Sequence, residues 1–205
     1  MGDKQYDLFD YLAVNRVAGL LILKDGKVIL EDYELGAGPA TRWASFSIAK
    51  SVTSTLIGAA LQDGFIASLD DSVTRYVAAL RGGVYDGVSI RNVLQMASGV
   101  RWNETYTDPS SDCRKLTDAQ MSHKAGASLA YMKHLPRAAP AGSVWNYNSG
   151  ETNIAGAVVE GAPTWASPPI FQRRSGLALE WSTMHSGGPS RKAAWGSVAP
   201  VSARP

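Results

Sequence analysis

The amino-acid sequence predicts a mixed α/β fold of the α+β kind, in which an N-terminal helix and a β-hairpin precede a helical subdomain. Three observations carry this. Two β-prone runs, residues 17–23 and 27–33, meet across Asp25-Gly26, a strong hairpin signal because both turn residues tolerate positive φ. Residues 46–64 (FSIAKSVTSTLIGAALQDG) carry small and apolar residues at helical spacing and end on a glycine. Beyond residue 64, the patterned segments have helical spacing and lack the alternation of strands.

Taken in order, residues 5–14 place Leu8, Tyr11, Leu12 and Val14 on one stripe and predict a short amphipathic helix. The hairpin follows. Apolar positions almost all round residues 46–64 (Ile48, Val52, Leu56, Ile57, Leu61) predict a buried helix closed by Gly64. Asp70 or Asp71 is expected to cap a short helix through Val73, Tyr76 and Val77. Another helix is expected over 90–96, stopping at Ser98-Gly99. Residues 101–124 are polar and turn-rich and read as a long surface excursion of the kind that borders a site. Helix returns near 128–134 and again over 149–160, after the turn Pro140-Ala141-Gly142.

Composition excludes several classes of function. The 205 residues suffice for one substantial domain or two small interleaved ones, and 45% hydrophobic with 19% charged residues is ordinary globular usage. A formal charge of +2, without a run of Lys or Arg, argues against a nucleic-acid partner. The one cysteine, Cys113, allows no intrachain disulfide, and its place beside Asp112 and Arg114 reads as an incidental loop position. His123, His134 and His185 lack the close spacings of a zinc site, so neither a metal nor a cofactor is expected. The start, Met1-Gly2-Asp3-Lys4-Gln5-Tyr6, is not followed by a signal-peptide core, and the longest early apolar run is too short to span a bilayer. As written, the chain reads as soluble and cytoplasmic, with no membrane segment; the sequence says nothing of oligomeric state.

The chain changes character near residue 161. Up to residue 160 it has 15 basic and 17 acidic residues; after it, five basic and one acidic, with six of the ten prolines. That tail has no sustained helical or strand period with which to bury a face.

The chemistry starts at Ser47-Ile48-Ala49-Lys50. Residues i and i+3 share one helix face, with Cβ atoms roughly 5–6 Å apart, so the Lys50 ammonium can reach the Ser47 hydroxyl. A serine needs such a neighbour, because unassisted it is a weak nucleophile. The tetrad by itself is also what a surface lysine one turn from a serine looks like. Tyr147-Asn148-Ser149 adds weight: of the eight tyrosines, Tyr147 alone is followed two places later by Asn or Ser. It lies where a loop meets a helix, so its hydroxyl can point into a cleft and act as a general base. A tyrosine in that place also serves as an aromatic staple.

Four segments, in order, resemble the class C β-lactamase-related family of serine hydrolases and penicillin-binding proteins. Trp43-Ala44-Ser45-Phe46-Ser47-Ile48-Ala49-Lys50-Ser51-Val52-Thr53-Ser54 is similar to the family's nucleophile segment, and Leu69-Asp70-Asp71-Ser72-Val73 to the turn after it. Val93-Leu94-Gln95-Met96-Ala97-Ser98-Gly99-Val100 resembles a third segment. Trp145-Asn146-Tyr147-Asn148-Ser149-Gly150-Glu151-Thr152-Asn153 resembles the Tyr-x-Asn element in its variant with Ser at the third place, nearest to 6-aminohexanoate-dimer hydrolase-like and esterase members.

The resemblance runs from about residue 7 to 162 and implies a β-lactamase/transpeptidase-like fold, with the hairpin as part of an incomplete antiparallel sheet. It implies that Ser47 is acylated, that Lys50 and Tyr147 handle the protons, and that Ser149 lines the cleft, with Trp102, Glu104 and the 105–115 loop as candidate borders. The Ser47 backbone N–H and an edge-strand N–H would form the oxyanion hole. The substrate would be a small ester or amide, including lactams or linear amide oligomers. His185-Ser186-Gly187 has the letters of the family's third element but not a strand setting, so the element is not assigned to it. Residues 1–162 are thus expected to be a partial hydrolase domain. Residues 163–205 are expected to be a Pro/Ser/Gly/Trp-rich tail foreign to the family, such as a frameshift leaves. Two other readings stay open: a penicillin-binding-like module acylated without turnover, and an inactive fragment.

Overall fold

The computed structural model describes residues 6–162; His185-Ser186-Gly187 and the rest of the expected tail lie outside the described residues. The chain divides into two compact units, Met1–Ala44 and Ser45–Pro205.

In the first unit, helix α1 (Leu8–Val14) begins with a capping box, Asp7 and Asp10 each accepting the other's backbone N–H at 2.8 and 3.2 Å. Of the expected apolar stripe only Leu12 is buried; Leu8, Tyr11 and Val14 are exposed. Strands β1 (Gly19–Lys24) and β2 (Lys27–Tyr33) pair antiparallel, with a register shift between Ile22 and Leu23. Asp25 and Gly26 turn the hairpin at φ 52° and 73°, as the dipeptide predicts. These two strands make up the sheet among the described residues.

The second unit is helical, and α7 (Ser149–Gly161) is its hub. It packs against α2 (Ile48–Gln62), α3 (Val73–Tyr76), α4 (Ile90–Leu94), α5 (Asp112–Met121) and α6 (Ala127–Lys133). Its core residues are Ile154, Ala155, Val158 and Val159. Helix α2 is not buried all round, contrary to its apolar composition: Thr53, Leu56, Ile57 and Ala60 form the buried stripe, while Ile48 is 71% exposed. The buried set follows i, i+3, i+4 and i+7, the single face a helix offers one neighbour. Beyond the C-cap Asp63, Gly64 takes φ 77°. The Phe65 N–H reaches back to the Ala60 carbonyl at 2.9 Å and the Gly64 N–H to that of Leu61 at 3.1 Å. This is the paired bonding of a Schellman stop.

The cap of α3 is Ser72, whose side chain accepts from the Thr74 N–H. Asp70 and Asp71 do other work. Asp70 pairs with Arg91 at 2.7 Å, while Asp71 accepts from the Tyr76 hydroxyl at 2.7 Å and from Arg75 at 2.9 Å. A serine hydroxyl one residue nearer the helix reaches the N-terminal donor, which frees both carboxylates to tie α3 and α4 in place. Nor is the 101–124 stretch one long loop, since α5 occupies its second half with Ser111 as cap. Cys113 is buried on that helix beside Leu116, not loop-bound. Two inward apolar residues, with seven polar or small ones and an exposed Met121, leave too faint a period to read. Among the described residues no helix is long and apolar enough to cross a membrane.

Gly99 joins the α4 end to the loop before α7. It sits at φ 76°, and a Cβ there would come within 2.1 Å of the Ala139 carbonyl oxygen. Its own carbonyl accepts from the Ala138 and Ala139 N–H groups at 2.8 and 3.0 Å. Gly99→Ala is therefore expected to lower stability by about 2 kcal/mol or more, since left-handed strain and backbone overlap add; urea unfolding against the parent chain measures it.

Candidate active site

The site forms where the start of α2 meets the start of α7. Ser47 stands just before α2 with helical dihedrals (φ −68°, ψ −10°), and its side chain makes no cap hydrogen bond. A serine in this place ordinarily spends its oxygen on the helix's free N–H groups. Here the oxygen stays available. The preceding Phe46 has φ 40°, a left-handed conformation that costs a bulky residue about 1–2 kcal/mol; it turns the chain sharply into the helix.

Ser47 Oγ lies 2.9 Å from Tyr147 Oη, and Lys50 Nζ donates to Ser47 Oγ at 3.3 Å. The ammonium also stands 5.3 Å from the centre of the Tyr147 ring. The Ser47 hydroxyl, and then the hydrogen bond and charge of Lys50, hold the Tyr147 phenol below its ordinary range, against burial and the Glu104 carboxylate. The serine, lysine and tyrosine side chains thus share one hydrogen-bonded cluster, an arrangement able to lower the cost of deprotonating serine.

Ser149, two residues past Tyr147, faces Glu104. Its hydroxyl and its N–H both donate to the Glu104 carboxylate, the N–H at 3.0 Å. Glu104 also accepts from the Tyr106 hydroxyl at 2.6 Å and from the Trp102 indole N–H. Burial raises the Glu104 carboxyl, but these donors outweigh it and hold the group below the usual carboxylate range. Trp102 is itself buried, so it reaches the site through Glu104. The structure therefore brings Ser47, Lys50 and Tyr147 into contact and sets Ser149, Glu104 and Trp102 as a second hydrogen-bonded group beside Tyr147.

Behind Tyr147 lies a group that sequence reading missed. Asn148 caps α7, its Oδ1 accepting from the Gly150 and Glu151 N–H groups at 2.9 and 3.2 Å. Glu151, only 2% exposed, takes the Ser98 hydroxyl on Oε1, and Asn148 Nδ2 stands 3.4 Å from the same oxygen. Burial pushes the Glu151 carboxyl up to about 7, with the Ser98 bond opposing. The sequence signal is Glu three places after an Asn cap, which suggests a capping box and not a buried acid. Among the described residues no group of three or more His, Cys, Asp and Glu side chains is placed to hold a metal ion.

A mixed α/β fold thus carries an S-x-x-K serine at one helix start with a tyrosine from a second helix start against it. The chain belongs to the β-lactamase family, whose model matches residues 11–167. It is similar to the 6-aminohexanoate-dimer hydrolase of Paenarthrobacter ureafaciens, with 37% identity over 106 residues, 52% of this chain and 27% of that one. A Bacillus anthracis protein assigned as a 6-aminohexanoate-dimer hydrolase shares the fold at TM-score 0.65 and 18% identity, over 78% of this chain and 44% of that one. A class C β-lactamase solved with cefoxitin superposes at TM-score 0.53 with 25% identity, over 75% of this chain and 42% of that one. The chain spans less than half the length of each of these relatives.

The raised Glu151 carboxyl has a thermodynamic signature. The unfolded chain releases this proton near the ordinary 4.5, the folded chain only near 7. Stability is therefore full below pH 4.5, falls as pH rises to about 7, and is level above it, a loss on the order of 3 kcal/mol. Glu151→Gln, which carries no such proton, is expected to gain stability relative to the parent across that window; chemical unfolding at pH 5 and pH 8 measures the difference.

Proposed function

We propose that residues 1–162 form part of a serine hydrolase that cleaves small esters or amides through an acyl-enzyme on Ser47. The observation that supports it most is the 2.9 Å approach of Tyr147 Oη to Ser47 Oγ with Lys50 on the same oxygen. In this reading Tyr147, favoured as phenolate by Lys50, takes the Ser47 proton while Oγ bonds to the substrate carbonyl carbon. The tetrahedral intermediate collapses as the leaving alcohol or amine departs with that proton. Water then attacks the acyl carbon, its proton passing to Tyr147, and the second tetrahedral intermediate collapses as Tyr147 returns that proton to Ser47 Oγ, which frees the carboxylic acid and restores the Ser47 hydroxyl. The Ser47 N–H serves as one oxyanion donor. Ser149, held by Glu104, and Trp102 behind it support the substrate side of the cleft. The chemistry calls for no cofactor or metal. Linear amides of the 6-aminohexanoate type, simple esters and lactams are the substrate classes the relatives suggest.

A fluorophosphonate probe read by intact mass tests the reading. One adduct is expected, absent in Ser47→Ala, with labelling slowed about 10²-fold or more in Lys50→Ala and Tyr147→Phe. Turnover of a chromogenic ester then separates a hydrolase from a module acylated once. An adduct that persists in Ser47→Ala, or none on a sample that unfolds cooperatively, overturns the proposal.

A further inference from the structure

The carboxyl of Glu151 is used by nothing in the mechanism above, yet it is tied to the turn that delivers Tyr147. It bonds the Ser98 hydroxyl, and Ser98 Oγ in turn accepts from the Val100 N–H at 3.1 Å. That loop is sewn to the chain before Tyr147 by Gly142 N–H to the Ala97 carbonyl at 2.7 Å and Asn146 N–H to the Met96 carbonyl at 2.9 Å. On the other side Glu151 meets Asn148, 1% exposed, which follows Tyr147 directly and caps α7. Tyr147 is therefore clamped on both sides by a network that converges on one acid.

The acid itself is poised. Glu151 Oε2 and the Tyr85 hydroxyl are the two buried side-chain oxygens without a hydrogen-bond partner among the described residues. An ionised carboxylate with a buried bare oxygen costs several times what its neutral form does. Glu151 also lines two cavities. One, of about 180 Å³, has Lys50, Thr53, Val93 and Met96 in its wall; the other, of about 270 Å³, has Ser98, Val100 and Asn146. The groups facing the carboxyl are Ser98 from the α4 end, Asn148 from its own helix and Tyr85 from the loop before α4. Lys50 shares its first cavity from α2, and Arg137 donates to the Ser98 carbonyl at 3.1 Å. None of these is an ion pair with Glu151.

We propose that Glu151 is a positioning residue for Tyr147: with its proton on, the carboxyl locks the first turn of α7 to the Ser98 loop, and loss of the proton loosens that lock and withdraws Tyr147 from Ser47. The inference rests on Tyr147 serving Ser47 as proposed above. The carboxyl pushed up to about 7 by burial puts the switch near neutrality.

The test follows Tyr147 by two readouts in the full chain, for the parent, Glu151→Gln and Glu151→Ala. One is the NMR signal of ring-labelled tyrosine, with Tyr147 assigned by its loss in Tyr147→Phe. The other is the rate of fluorophosphonate labelling from pH 6 to 8. In the parent the Tyr147 signal is expected to move with a midpoint near neutrality. In Glu151→Gln it stays at the low-pH position throughout, with labelling kept within about threefold of the parent at pH 6, and in Glu151→Ala labelling drops about tenfold or more. A Tyr147 signal that moves only in the parent upholds the inference even where no variant is labelled, a result that would sink the hydrolase reading instead. An unchanged signal and the same pH profile in the folded Glu151→Gln protein overturn it.

Discussion

The contact of α2 with α7 is the constraint on which the rest of the molecule depends. The two helices pack together, α2 burying Leu56, Ile57 and Ala60 and α7 burying Ile154, Ala155 and Val158. Burial of that kind is the main source of stability in a domain of this size. It also fixes where both helices begin. Ser47 stands at one start and Tyr147 at the other, so apolar packing further along sets a polar contact at the ends. The site is in this sense a by-product of the core.

Around that contact the polar groups divide into two sets. Among the described residues Glu104 gathers four donors and is held below the usual carboxylate range, whereas Glu151 has one hydroxyl donor, deep burial and an oxygen without a partner. The same side-chain chemistry is thus shifted in opposite directions, Glu104 below the usual carboxylate range and Glu151 above it. What separates them is the number of donors, which decides whether desolvation wins.

Much of this was legible in the sequence, and the rest was hidden for reasons that can be stated. The hairpin was written in Asp25-Gly26, and Ser47 with Lys50 in a spacing that any helix turns into contact. Tyr147 was legible through its place before Asn148 and Ser149 and through the family order of four segments. The full burial expected of α2 failed because apolar composition cannot say how many neighbours a helix will find. Helix α5 went unread because its inward side is only Cys113 and Leu116. Ser98 and Glu151 are 53 residues apart. No local pattern joins them; only the fold does.

The uncapped start of α2 has one more consequence. At a helix N-terminus a serine oxygen is worth about 1 kcal/mol when it closes the first turn, and Ser47 forgoes this to face Tyr147 and Lys50. The same lone pairs could serve folding or reactivity but not both at once. Selection for a more rugged protein would therefore press directly on Ser47, and variants recovered from a thermal screen would be those whose Ser47 has turned back toward its own helix and left Tyr147 and Lys50 without their shared partner.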